Sequence, residues 1–348
     1  MSDLAIGDPK TYRETFAEGL TPLLDTGAGL GAFILAFNNA AFDAELRRLL
    51  SPRLEQRFIE LADELRRALR RGSDPAVPTD DLAVFLRMLA VGYQDLPPVD
   101  IRRADPWEVQ FNLVRAFRPA RSSLGRPASL RAAFDPAGFN FNRPFLRAET
   151  LWAGTLLGQR VDLLYNKFPF VPLQTILVPQ REDELPQRLR HQDHVLAWSL
   201  ASTLGQAWKA PVVGYNSQGA YASVNHLHFH LAMRAESMPI ATNRWHHNGG
   251  GESYPLPCIA ETDPETAWQR IADLQDQDQP FNLIYAPGRI YIIVRRCQGE
   301  YELPPEIGGH AWYELGGGLV CFDRERYQRL MSEEIARGIA IALPLSSL

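Results

Sequence analysis

Apolar positions along the chain change their period near residue 107. Before it they recur at three- and four-residue steps: Leu54, Phe58, Leu61, Leu65 and Leu69 form one stripe of an amphipathic helix. Phe42–Leu50 and Leu54–Arg71 flank Ser51-Pro52, so two helices are expected, with proline in the first turn of the second. Asp63 and Arg67 are spaced to pair at i, i+4. Gly72-Ser-Asp-Pro75 ends this block, Asp80–Tyr93 reads as a shorter helix, and Leu96-Pro-Pro98 turns the chain. Residues 1–105 are therefore expected to be a mainly helical region.

From Trp107 onward strand patterns take over. Glu108–Val114 alternates in part, Gly138–Phe141 and Glu149–Leu157 read as edge elements, and Val161–Asn166 with Thr175–Val178 as a hairpin-like pair. A helix over His191–Trp208 follows, its buried side carrying Val195, Trp198, Leu200, Ala201 and Leu204 and its first turn holding His191 and His194 as surface residues. Then come a strand at Pro211–Asn216, a turn at Ser217–Gly219 and a strand at Tyr221–Met233. Past Arg234 a helix at Glu265–Gln275 and a hairpin, Phe281–Tyr285 with Arg289–Arg295, repeat the helix-plus-hairpin order. Met331–Ile341 closes the chain as a helix. The expected class is α+β: an antiparallel sheet with packed helices in two related halves, 106–235 and 236–348, plus the helical N-terminal region.

Composition narrows the partners. At 45% hydrophobic and 22% charged, the 348 residues can bury a large core. A net charge of −5 argues against a general nucleic-acid or anionic-membrane surface. The clustered Arg66, Arg67, Arg70 and Arg71 read as a solvated helix end. The run Arg115, Arg118, Arg121 to Arg126 reads as loop charge, from which one guanidinium could reach a phosphate. Three scattered cysteines, Cys258, Cys297 and Cys321, fit reduced thiols in a cytoplasmic protein. Met1–Asp8 lacks the features of a secretory leader, and the apolar stretch Gly27–Phe37 is far short of the roughly 18 residues that span a bilayer, so no membrane association is expected.

The candidate chemistry lies in Ser223-Val-Asn-His-Leu-His-Phe-His-Leu231, where three of the chain's 8 histidines alternate with apolar residues. On a strand rising about 3.3 Å per residue, His226, His228 and His230 share one face, with Leu227, Phe229 and Leu231 behind. Such a face can be a solvated polar surface, a metal site, or a site of nucleophilic catalysis at phosphorus. No carboxylate or cysteine flanks the triplet to complete a metal set, while Ser223 upstream supplies a hydroxyl suited to phosphate. Catalysis is the preferred reading, with no metal and no cofactor. His246 and His247, adjacent in a loop before three glycines, receive no role.

His226-Leu-His228-Phe-His230-Leu-Ala232 resembles the histidine-triad superfamily, which includes galactose-1-phosphate uridylyltransferase. The context Gly214 to His230, the block Asn166-Lys-Phe-Pro-Phe-Val-Pro-Leu-Gln-Thr-Ile-Leu-Val-Pro179 followed by Leu185-Pro-Gln-Arg188, and the shorter Gln110-Phe-Asn112 and Gly138-Phe-Asn-Phe141 are similar to one branch. That branch is the GDP-hexose phosphorylases, acting on GDP-L-galactose or GDP-D-glucose. The resemblance covers about residues 107–300.

It implies that His228 is the nucleophile attacking the α-phosphorus of a nucleoside diphosphate sugar, that His230 donates a hydrogen bond to phosphate or the leaving oxygen, and that His226 orients His228 through packing and its backbone carbonyl. It places Asn166 at the ribose hydroxyls, Ser223 on phosphate, and Asn216 and Gly219 on the turn approaching it. Inorganic phosphate is the implied acceptor, with water the alternative, and a homodimer is the implied assembly. The sequence departs from the family at Leu173-Gln174, where many members carry a supporting histidine. A dinucleoside polyphosphate phosphorylase or hydrolase, an ATP adenylyltransferase-like enzyme and a catalytically idle nucleotide-binding module are the alternatives.

Overall fold

A computed structural model describes residues 6–25, 29–73, 77–118, 125–304, 307 and 309–344. The N-terminal region is helical: α1 (Pro9–Leu20), α2 (Leu30–Ala40), α3 (Ala44–Arg70) and α4 (Thr79–Val91). Asp8 caps α1, its carboxylate accepting the Thr11 N–H at 2.9 Å, and Pro9 fills the first helical position. The described part of the Gly27–Phe37 stretch lies in α2 and is mostly buried.

Instead of two helices around Ser51-Pro52, α3 runs through Pro52. Leu46, Leu50, Leu54, Phe58, Leu61 and Leu65 are buried on both sides of it, so a continuous apolar stripe outweighs the roughly 3 kcal/mol that an interior proline costs. Leu69, expected on that stripe, is exposed. Asp63 pairs with Arg66 at 2.9 Å, one position short of the expected Arg67, whose Nε donates to the Asp63 carbonyl.

Eight strands make one sheet in which every neighbour is antiparallel, and its members in chain order are β3 (Thr150–Leu156), β4 (Gln159–Tyr165), β5 (Thr175–Pro179), β6 (Ala210–Asn216), β7 (Phe229–Arg234), β8 (Cys258–Glu261), β9 (Phe281–Ala286) and β10 (Arg289–Val294). Their spatial order is β3-β4-β5-β7-β6-β9-β10-β8. β5, α6 (His191–Leu204), β6 and β7 are followed in the same order by β8, α7 (Pro264–Asp276), β9 and β10. Read outward from the centre, each unit places its second strand first, its third next and its first outermost. The units meet at β6 and β9, with Gly214 opposite Ile284 and Asn216 opposite Asn282, so the sheet runs unbroken across both.

The two turns differ. β9 and β10 are joined by Pro287-Gly288 alone, whereas residues 217–228 separate β6 from β7 and carry two of the three histidines. A separate sheet pairs β1 (Asp100–Ala104) antiparallel to β2 (Trp107–Phe111) and β2 parallel to β11 (Gly318–Cys321). α10 (Ser332–Ala340) is the expected closing helix.

Alternation sorts the two faces of the large sheet. Leu163, Leu177, Val213, Phe229, Leu231 and Leu283 join the N-terminal helices, α6 and α7 in one core. Val212, Ala232, Ile284 and Ile293 lie on the other face, under Trp312 and Leu315 of α8 (Trp312–Leu315). α6 stops at Gly205, and Val195, expected on its buried side, is exposed. His194, expected at the surface, is fully buried because its ring bridges the Tyr285 hydroxyl and the Pro264 carbonyl, tying α6 to β9 and α7. Gly138–Phe141, expected as an edge strand, is a loop. Among the described residues, no helix is long and apolar enough to cross a membrane.

Candidate active site

The triad strand is shorter than its sequence pattern. β7 begins at Phe229, and residues 224–226 bend, so two of the three histidines precede the strand. What holds them in register is the segment Leu185-Pro-Gln187. The Leu227 N–H donates to the Leu185 carbonyl at 2.8 Å, and the ladder passes Pro186, which has no N–H to give.

There the side chain of Gln187 takes over. Its Oε1 accepts the His228 N–H at 2.9 Å, while its Nε2 donates to the His228 carbonyl at 3.1 Å and the Asn216 carbonyl at 2.9 Å. Gln187 is buried and supplies the pairing that a neighbouring strand would otherwise provide.

His228, 3% exposed, turns its Nδ1 back to the His226 carbonyl at 2.7 Å. A carbonyl only accepts, so Nδ1 carries a proton, and in the neutral ring the lone pair lies on Nε2. His230 has the opposite tautomer. The Gln174 Oε1 accepts the Phe170 N–H at 3.0 Å, which turns the amide nitrogen toward His230 Nδ1 at 3.1 Å. His230 Nδ1 therefore accepts and Nε2 carries the hydrogen. Gln174 thus supports the third histidine from the place where the family pattern often has a histidine. The two catalytic candidates are neighbours, with ring centroids 5.5 Å apart and planes inclined at 68°.

Burial disfavours the charged form of His226 and His230. His230 is pushed well below the usual imidazole range by desolvation, helped by His228, Arg115 and Arg118. His226 is lowered to about 4, again chiefly by burial, with His228 adding to the effect. Its Nδ1 accepts the Phe141 N–H at 3.2 Å, and its Nε2 has no hydrogen-bond partner. Among the described residues no three His, Cys, Asp or Glu side chains converge as a metal set.

Replacing Gln174 with glutamate tests the tautomer assignment. A carboxylate cannot donate to Nδ1, and it favours an imidazolium that donates to it. The expected result is a His230 pKa raised above that of wild type, read from ring ¹⁵N shifts during a pH titration. An unchanged titration would sink the assignment.

The walls of the site come from the connections around the sheet and from α8. Phe141 packs its ring 5.1 Å from His228 and 5.4 Å from His226. Trp312 and Phe170 lie 6.1 and 5.7 Å from His230. Gly214, opposite His230 on β6, is required there: a Cβ would overlap the Trp312 indole. Arg115 lies over Phe170 and donates to the Phe168 carbonyl, while Arg121 falls outside the described residues.

The remaining expected residues are dispersed in role. Asn166, half-buried at the end of β4, accepts the Phe168 N–H on Oδ1 at 3.1 Å. Asn216 is buried, its Oδ1 accepting from Trp312 N at 2.9 Å and Asn282 Nδ2 at 2.7 Å. Gly219, at φ +77°, stands where a Cβ would meet Leu130, Cys297 and Pro280. Ser223 is exposed. His247 donates through Nε2 to the Ile240 carbonyl at 2.9 Å. Gln187 and Trp312 were not identified as site residues from sequence. Gln187 lies in the Leu185–Arg188 block, but nothing there shows that its amide reaches His228.

Residues 108–232 match the family model described as "GDPGP1-like, N-terminal domain". The chain is 29% identical over 204 residues to GDP-L-galactose phosphorylase 2 of Arabidopsis thaliana, covering 50% of this chain and 46% of that protein. It is 38% identical over 119 residues to GDP-D-glucose phosphorylase 1 of Homo sapiens, covering 32% of this chain and 30% of that one. The chain thus spans half or less of the length of these two curated relatives. In fold it is similar to the yeast Ap4A phosphorylase Apa2 solved with AMP, with a TM-score of 0.51 at 16% identity over 77% of this chain and 98% of that one. The resemblance to the GDP-hexose phosphorylase branch therefore holds in sequence across the histidine-bearing half, and the α+β architecture holds over most of the chain.

Proposed function

We propose that this protein is a nucleotidyltransferase that phosphorolyses a nucleoside diphosphate sugar of the GDP-hexose class. The observation that carries the reading is how the two neighbouring rings are held: His228 Nδ1 donates to the His226 carbonyl and His230 Nδ1 accepts from the Gln174 amide, with the ring centroids 5.5 Å apart. The relatives named above support the substrate class.

His228 Nε2 attacks the α-phosphorus, the bond from that phosphorus to the bridging oxygen breaks, and hexose-1-phosphate leaves with that oxygen and its electron pair. His230 Nε2–H stabilises charge on the phosphoryl or leaving oxygen. The His226 carbonyl, through the Nδ1–H bond, stabilises the cationic ring of the nucleotidyl-histidine. Inorganic phosphate then attacks the same phosphorus, releasing a nucleoside diphosphate and restoring His228. Asn166 and the exposed Ser223 contribute contacts to ribose and phosphate, and Asn216 and Gly219 set the turn that carries them.

The test is incubation with GDP-hexoses, other nucleotide sugars and dinucleoside polyphosphates, with and without phosphate, with products separated chromatographically. GDP and hexose-1-phosphate appearing only with phosphate is the expected outcome. GMP at an equal rate without phosphate would make water the acceptor. Turnover of dinucleotides alone would replace the substrate class, and no turnover of any nucleotide would overturn the reading.

A further inference from the structure

The loop between Phe134 and Arg147 carries four phenylalanines, and they divide into two pairs. Phe134 and Phe141 belong to the triad: Phe134 meets His226 edge-on at 5.1 Å, and Phe141 touches both His226 and His228. Phe141 also fills a small core with Leu146, Leu164, Ile176, Val178 and Val224, so packing accounts for it. Phe139 and Phe145 have no such account. They are 52% and 56% exposed and belong to neither that core nor the two larger ones.

Their exposure does not come from a slack loop. Asp135 Oδ1 accepts the Ala137 N–H at 2.9 Å, Asn140 Oδ1 accepts the Asn142 N–H at 3.0 Å, and the Arg143 guanidinium donates to the carbonyls of Ala137 and Gly138. The Phe141 backbone is fastened at both ends, its N–H to His226 Nδ1 and its carbonyl accepting from Arg181. On this braced support the Phe139 ring stands 6.3 Å from Phe141 and 6.4 Å from Phe145. A continuous line of aromatic rings therefore runs from the nucleophile outward to solvent.

Resting on the function proposed above, we infer that Phe139 and Phe145 form the stacking platform for the substrate's purine base. A nucleotide bonded through its α-phosphorus to His228 must place its base one ribose away, and the exposed aromatic faces begin one ring beyond the contact made by Phe141. Base–aromatic stacking needs only a π-face, and with the two rings inclined at 43° a two-ring purine can stack on one and reach the other with its edge, a span that a one-ring pyrimidine lacks. The platform thus supplies affinity for the nucleotide half of the substrate and a size preference at the base, without touching the reacting atoms.

Phe139→Ala, Phe145→Ala and the double variant change exposed rings, and circular dichroism melts should match wild type. The expected result is a KM for GDP-hexose and a Kd for GDP raised about 10-fold in each single variant, with kcat within about twofold. The ratio of GDP to UDP affinity should fall toward one in the double variant. Inhibition by hexose-1-phosphate should stay unchanged, and Phe139→Trp should retain GDP affinity. If wild type binds GDP and the double variant binds it equally well, the platform is wrong while the phosphorylase reading stands. Equal weakening toward GDP and hexose-1-phosphate would mean that the rings only shape the loop, and overturns the inference. Wild type that binds no nucleotide removes both.

Discussion

His228→Ala is expected to lower turnover by at least about 10³-fold while leaving nucleotide affinity within a few-fold of wild type. The residue is buried, with Phe141 and His230 packed against its ring, and its Nδ1 is held by the His226 carbonyl. Because a rate loss alone can come from a disturbed site, the decisive measurement is the intermediate. Wild type mixed with a GDP-hexose in the absence of phosphate should gain the mass of one nucleotidyl group, lost on acid treatment and on addition of phosphate. His228→Ala should gain none, whereas His230→Ala should gain it slowly. An adduct of equal yield in His228→Ala would move the covalent bond to another residue and end the proposed mechanism.

The second large effect is expected at Gln187, a positioning residue that touches no substrate. In Gln187→Leu the His228 N–H and the carbonyls of His228 and Asn216 lose their shared partner inside the protein. Each stranded buried group costs on the order of 1–3 kcal/mol, so the melting temperature should fall by several degrees. The nucleophile also loses its register, and a displacement near 1 Å is enough for about a 10²-fold drop in kcat at little change in KM. Ring ¹⁵N spectra should show His228 leaving the Nδ1–H tautomer. A variant that melts lower but keeps both kcat and the His228 ring signals would assign Gln187 to the scaffold alone.

The histidine cluster was legible because its alternation has the period of a strand, although His230 alone of the three lies within β7. The extent of the strand was not. Alternation continues back through His226, but pairing there is made with Leu185 and the Gln187 side chain, and no local pattern announces a partner some forty residues away. Pro52 shows the same division. Its local preference is to open a helix, and it is overruled by burial on both sides that depends on what α2 and α4 place against α3. His194 reads as a surface residue at a helix start and is buried because α7 and β9 cover it.

The helical N-terminal region, the repeated helix-and-hairpin order and the close spacing of the three histidines were legible in the sequence, since each rests on periodicity or on residues close in the chain. The tautomers of His228 and His230, the clamp of Gln187, the support of Gln174 and the joining of both units through β6 and β9 were decided only in the tertiary structure. A hydrogen bond's direction depends on which group faces it, and those groups arrive from remote segments that only the packed sheet brings together.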